Sequence, residues 1–188
     1  PPVHAGLRSL VLSVENPNGG VPKSIELTFD GLFGPIPSDS HETMIDSLIA
    51  LGYRDVNLAG TLRLAIDEKA KMFKAEMLLT GENMGTVGTT ANLSNVPVDL
   101  LMRNPSAALI AFAGARIKDL SVTVENRGLA DRLVDQDAIK TKRSPQDVRK
   151  NYAAAASASL QIYLGMSPNA KTLTQSLAKF IDKPTRLS

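Results

Sequence analysis

Asp55–Leu93 reads DVNLAGTLRLAIDEKAKMFKAEMLLTGENMGTVGTTANL, and its alternation decides the fold. Val56, Leu58, Leu62, Leu64 and Ile66 share one parity with Gly60, while Asn57, Thr61, Arg63 and Asp67 take the other. Side chains alternate faces along a strand, so this spacing makes one dry and one wet side. Phe73, Ala75, Met77 and Leu79 repeat the pattern against Lys74 and Glu76, and Val87, Ala91 and Leu93 repeat it again. Asp67–Lys71 and Gly81–Gly85 carry the residues that reversals need. The reading is a three-stranded antiparallel meander with one side turned to a core.

Working outward, Leu7–Glu15 alternates Leu10, Leu12 and Val14 with Val11, Ser13 and Glu15, and Ile25, Leu27 and Phe29 alternate with Glu26, Thr28 and Asp30. The NPNGGVPK loop between them makes a hairpin the natural pairing. A helix is expected from Ser38-Asp39-Ser40, with Asp39 and Glu42 at capping-box spacing. Its stripe is Met44, Ile45, Leu48, Ile49 and Leu51, and Gly52 is placed to stop it. After Leu93, Val98–Met102 and Asn104–Phe112 read as short helices, and Arg116–Asn126 returns to strand.

From Gly128 onward only helices are expected. Leu129, Ala130, Leu133 and Val134 mark the first, ending in a basic loop at Lys140–Arg143. Ser144-Pro145, with Asp147 in the first turn, opens the longest. Its packed face is expected at Val148, Tyr152, Ala155, Ile162 and Met166. Ser167-Pro168 starts the last helix, with Leu173, Leu177, Phe180 and Ile181 inward. The expected class is α+β: an antiparallel sheet of five to six strands, helices packed on one face, and a helical tail. One domain is expected over 1–188, strand-rich to 126 and helical from 127. Glycine inside a strand marks a bulge or a close neighbour, and the Ala153–Ala156 backbone is the expected neighbour of Gly60.

Composition narrows the function classes. The 188 residues are 43% hydrophobic and 21% charged, with a net charge of +2, too small to argue for a nucleic-acid partner. Aromatic content is 4% with no Trp, which disfavours stacking platforms for sugars or bases. With no cysteine there is no disulfide, thiolate metal site or cysteine nucleophile. The longest apolar run, Ala107–Ala115, is far short of the ~20 residues that span a bilayer, so no integral membrane segment is expected. The PPVHAG opening, without a start Met, reads as a mature or trimmed chain.

No catalytic or metal site can be assembled. His4 and His41 are isolated from other ligands. Every Asp and Glu falls in a turn, a cap or a wet strand face, which argues against a carboxylate pair for glycoside chemistry. Gly81, Gly85 and Gly88 mimic a phosphate loop, but a strand follows where a helix N-terminus is needed. Lys140, Lys142, Arg143, Arg149 and Lys150 form a basic cluster flanked by Asp135, Asp137 and Asp147, and read as solvated. Asn92-Leu93-Ser94 matches a glycosylation sequon in a poor setting.

The LGYRDVNL run (Leu51–Leu58), the IDEK turn (Ile66–Lys69) and the MGTV step (Met84–Val87) resemble a family of uncharacterised exported proteins of Gram-negative bacteria. The resemblance covers roughly Thr43–Ile181. It implies a periplasmic address and an antiparallel sheet, and transfers no functional residue. A looser architectural analogy is to envelope proteins whose amphipathic hairpins form lipid-holding grooves.

Bulky aromatics are scarce, and Ala75, Ala91, Ala155 and Ala156 stand where larger residues would fill a core. The resulting expectation is a non-enzymatic envelope protein without cofactor that binds an apolar or lipid-like ligand through Leu62, Phe73, Met77, Leu79 and Tyr152. The alternative is an assembly subunit whose strand edges pair with another envelope protein or form a homodimer. A hydrolase using unrecognised carboxylates is the third class.

Overall fold

The computed structural model describes residues 5–15, 22–37, 42–97, 114–164 and 168–187. Among these lie seven strands and four helices. The strands are β1 (Gly6–Glu15), β2 (Ser24–Pro35), β3 (Asp55–Asp67), β4 (Met72–Gly81), β5 (Gly85–Ser94), β6 (Arg116–Asn126) and β7 (Arg186–Leu187). The helices are α1 (Thr43–Ala50), α2 (Leu129–Thr141), α3 (Pro145–Leu164) and α4 (Pro168–Asp182). One sheet runs in the order β1-β2-β3-β4-β5-β6-β7, each strand beside its sequence neighbour. The α+β class, the meander and the hairpin stand as expected. The two-residue β7, which pairs antiparallel with β6 through Val124↔Leu187 and Glu125↔Arg186, was not read from sequence. Its own pattern is too short to carry a period.

The chain divides into two compact units. One comprises Pro1–Gly34, Asn57–Thr80 and Val87–Val122; the other comprises Pro35–Val56, Gly81–Thr86 and Thr123–Ser188.

In the first unit the faces of the sheet follow from the pairing. Leu10↔Phe29, Leu12↔Leu27 and Val14↔Ile25 put the apolar parity of β1 and β2 on one side. On the other side Arg63 donates from Nε and Nη2 to Glu26 (2.9 and 2.6 Å), and Lys74 Nζ lies 2.7 Å from Glu76. Gly60 joins the apolar side, but its neighbour is not a helix. A Cβ built there would stand 2.6 Å from Cε1 of Phe29 and 3.1 Å from the Leu78 carbonyl oxygen. The Phe29 ring therefore fills the space a side chain would take, a known device for rescuing strand glycines.

Among the described residues the second unit holds most of the buried hydrophobic side chains. Val134, Ala138 and Val148 form its core cluster, at 3%, 7% and 1% exposure. Leu51 and Tyr53 are buried as well. α1 ends in a Schellman motif: Gly52 N–H donates to the Ile49 carbonyl, Tyr53 N–H to that of Leu48, and Gly52 takes φ +84°. α3 opens as expected, with Ser144 Oγ accepting from Asp147 N–H (3.1 Å) and donating to its carboxylate (2.7 Å).

Several expected faces are turned outward. Met44 on α1, Ile162 on α3, and Leu133 and Leu173 on the flanking helices are exposed. On α3, Tyr152 and Ala155 are exposed too, while Ala153, Ala156, Ser157 and Leu160 are half-buried. Small residues at those positions let α3 and α4 approach closely, so the packed stripe is set by Ala and Ser and not by the bulkiest side chains. The Ser38–Ser40 helix start, His4, His41, Met166, Ser167 and the short helices read over 98–112 lie outside the described residues.

Candidate functional site

The apolar side of the first unit is half-buried at Ile25, Leu27, Phe29, Leu64 and Ile66 and open to solvent elsewhere. Leu10, Leu12, Val14, Leu62, Met77 and Leu79 all sit on it, with exposures from 40% for Leu62 and Leu79 to 64% for Leu12. Their placement is local in origin. Period-two alternation puts them on one side of the sheet, on β1, β3 and β4, and Gly60 leaves the room that the Phe29 ring of β2 takes. The same parity on β5 and β6 leaves Val87, Leu120 and Val122 exposed. On the opposite parity there Asn92 donates to Asp119 at 3.2 Å, and Ile117 is exposed beside them. A large exposed apolar patch on a folded protein is uncommon and marks a contact surface.

At the end of β3 and β4 the sheet makes a shallow cavity of about 170 Å³, lined by Ala65, Ile66, Asp67, Met72, Phe73, Lys74 and Asn92. Leu62, Met77 and Leu79 therefore share the open face, and Phe73 lines the cavity. Tyr152 belongs to the other unit, on α3. Burial pushes its phenol up from the ordinary tyrosine value, and the charge and hydrogen bond of Asp137 push the same way.

Residues 78–188 match a protein family whose description reads "Uncharacterized protein". The chain belongs to that family. Comparisons with curated proteins and with solved structures return no match. The matched stretch takes in β5, β6, β7 and α2–α4, and with them the polar centre of the second unit.

That centre was missed from the sequence. Asn126, at the end of β6, accepts from the N–H groups of Gly128 (3.1 Å) and Ala130 (2.9 Å), which caps α2. Its amide donates to the Asp131 carboxylate (2.7 Å) and the Pro184 carbonyl (3.0 Å). Arg149 donates to Asp131 (2.7 Å) and to the Ile181 carbonyl (2.9 Å). Three elements far apart in sequence are thereby fixed to one asparagine and one arginine. The readable signal was the Asn126-Arg127-Gly128 run just before a helical pattern, which is a cap signature. Nearby, the Arg132 guanidinium lies 4.4 Å over the Tyr53 ring and donates to the Leu51 carbonyl (3.0 Å), while Tyr53 Oη donates to the Asn83 carbonyl (2.9 Å). Burial raises the Tyr53 phenol, and Arg132 pulls it back down.

These groups are satisfied by one another and by backbone, which is the arrangement of a structural network. Among the described residues no cluster of His, Cys, Asp or Glu could hold a metal ion. No described helix is long and apolar enough to cross a membrane. The Gly81–Gly85 reversal is a strand-to-strand turn, closed by Met84 N–H donating to the Gly81 carbonyl (3.1 Å) with Asn83 at φ +57°.

Proposed function

We propose that this chain is a non-enzymatic binding protein whose sheet offers its open apolar side to a lipid-like or otherwise apolar ligand. The observation that carries the reading is the row from Leu10 to Leu79: six apolar side chains of β1, β3 and β4 on one side of the sheet, all exposed. Burying such side chains against an apolar ligand yields roughly 25 cal/mol per Å² removed from water. The polar side, with Glu26, Arg63, Lys74 and Glu76 joined in ion pairs, keeps the opposite surface wet. The first-named ligand contacts are Leu62, Met77 and Leu79, with Phe73 at the adjoining cavity. A periplasmic address in a Gram-negative envelope is part of the proposal and is supported by the resemblance at Leu51–Leu58, Ile66–Lys69 and Met84–Val87.

The test is native mass spectrometry of chain purified from a Gram-negative periplasm, then solvent extraction and titration with an apolar fluorescent probe. Retained fatty acid or phospholipid at fixed stoichiometry supports the reading, as does probe binding that Met77→Glu abolishes. A bare-chain mass with no probe binding ends it.

A further inference from the structure

Among the described residues β1 is an outer strand of the sheet, and nine of its ten residues are exposed. An unpaired strand edge presents a ladder of free N–H and C=O groups, and proteins blunt such edges with charge, proline or short length. β6 carries the charges Arg116, Lys118 and Asp119, and its end is covered by β7. β1 has neither device between Arg8 and Glu15. Within that interval Ser9-Leu10-Val11-Leu12-Ser13 is a palindrome about Val11, followed by Val14.

We propose that β1 pairs antiparallel with β1 of a second copy of this chain, about a two-fold axis at Val11 perpendicular to the sheet. Such an axis keeps each side of the sheet on its own side, so only residues of equal parity come opposite. With Val11 opposite Val11, Leu10 meets Leu12 on the apolar side and Ser9 meets Ser13 on the other. Like therefore faces like at every palindromic position, which is the self-complementarity a two-fold interface requires. Cross-strand aliphatic and Ser–Ser pairs each stabilise a sheet. The charges also fit: Arg8 falls opposite Val14 and Glu15 opposite Leu7, so no like charges meet. Leu10, Val11 and Leu12, each more than half exposed in the single chain, become interior to a doubled sheet whose open apolar sides join. The pairing does not rest on the ligand reading, because it is measured on solvent-extracted chain.

The chain has no cysteine, so Val11→Cys introduces its sole thiol. At the self-paired position the two Cα atoms lie roughly 4.5–5.5 Å apart, within disulfide reach. With Ser9→Cys the two thiols sit four residues apart along the strands, about 13 Å, and cannot bridge. Sedimentation equilibrium of the unmodified chain is expected to show a dimer. Mild oxidation is expected to cross-link V11C and leave S9C single. The double change L10K/L12K sets four lysines together across the axis and is expected to weaken the dimer by roughly tenfold or more. A chain that stays monomeric at millimolar concentration overturns the proposal. So does V11C cross-linking no faster than S9C, or L10K/L12K dimerising as tightly as the parent. Circular dichroism of each variant confirms that the sheet is intact.

Discussion

Val148 on α3 and Leu12 on β1 are both aliphatic residues inside regular secondary structure, yet the first is almost wholly enclosed and the second lies mostly in solvent. The contrast extends to their surroundings. Val148 packs with Val134 and Ala138 in a unit tied together by Asn126, Asp131 and Arg149. Leu12 sits in a unit where, among the described residues, Val96 is the one fully buried aliphatic side chain and Leu10, Leu12, Val14, Leu62, Met77 and Leu79 are exposed on one side of the sheet. A closed core stabilises its own chain, whereas an open apolar side stores its burial free energy for whatever covers it. Substitutions should therefore separate the units: severe for stability at the core of the helical one, nearly silent for stability at the exposed apolar positions of the sheet.

The largest effect is expected from ending the chain before Pro168. This removes β7, the Pro184 and Ile181 carbonyls that accept from Asn126 and Arg149, and the half-buried Leu177, Phe180 and Ile181. Calorimetry should show loss of a cooperative transition. A truncated chain that melts as sharply as the parent would make α4 a mere appendage. Val148→Asp comes next. An unpaired carboxylate at a site 1% exposed should cost more than about 4 kcal/mol. Leu12→Asp should stay within about 0.5 kcal/mol in the same denaturation assay run at concentrations where the chain is monomeric. Equal costs at the two positions would break the comparison outright.

Two smaller changes sharpen it. Gly60→Val forces a side chain into the space of the Phe29 ring and should cost about 1–3 kcal/mol by overpacking. In a Phe29→Ala background the penalty should largely vanish, which a double-mutant cycle would read. Asn126→Ala removes the α2 cap and should cost about 1–2 kcal/mol. An unchanged denaturation midpoint would show that backbone pairing with β7 already fixes that corner.

What was legible in the sequence follows the range of each signal. Period-two alternation is local and strong, so β1 to β6 and the sidedness of Leu10, Leu62 and Met77 could be read directly. Start signals such as Ser144-Pro145 and stop signals such as Gly52 are equally local. Whether a dry side is covered is a tertiary fact, and alternation is identical for a covered and an uncovered sheet. That is why a side turned to a core is the sequence reading where Leu12 and Met77 are exposed. Helix faces failed for a related reason. Tyr152, Ala155 and Ile162 have the right spacing, but the close approach of α3 and α4 selects the Ala153, Ala156 and Ser157 side, and bulk alone points the wrong way. The Asn126–Asp131–Arg149 network joins residues up to 58 apart with no period between them, and only its capping end leaves a local trace.

The smallest effect belongs to the wet side of the sheet, where pH tests whether that surface is simply solvated. The hydrogen bond from Lys74 holds the Glu76 carboxyl below its ordinary value of 4.5, with Arg63 adding to the pull and desolvation opposing it. A depressed folded value means that the stability contributed is full above the unfolded value and is lost as pH falls through the folded one. The acid limb of the stability curve should therefore include a Glu76 contribution that begins to fade below pH about 4.5. Because the pair is well exposed and screened, Glu76→Gln should change stability at neutral pH by less than about 0.5 kcal/mol. Molar salt, with a Debye length near 3 Å, should erase most of that. If instead the substitution costs well over 1 kcal/mol and resists salt, the ion pairs lie under cover in solution. The wet side would then be an interface as well, and the sidedness on which the comparison rests would fail.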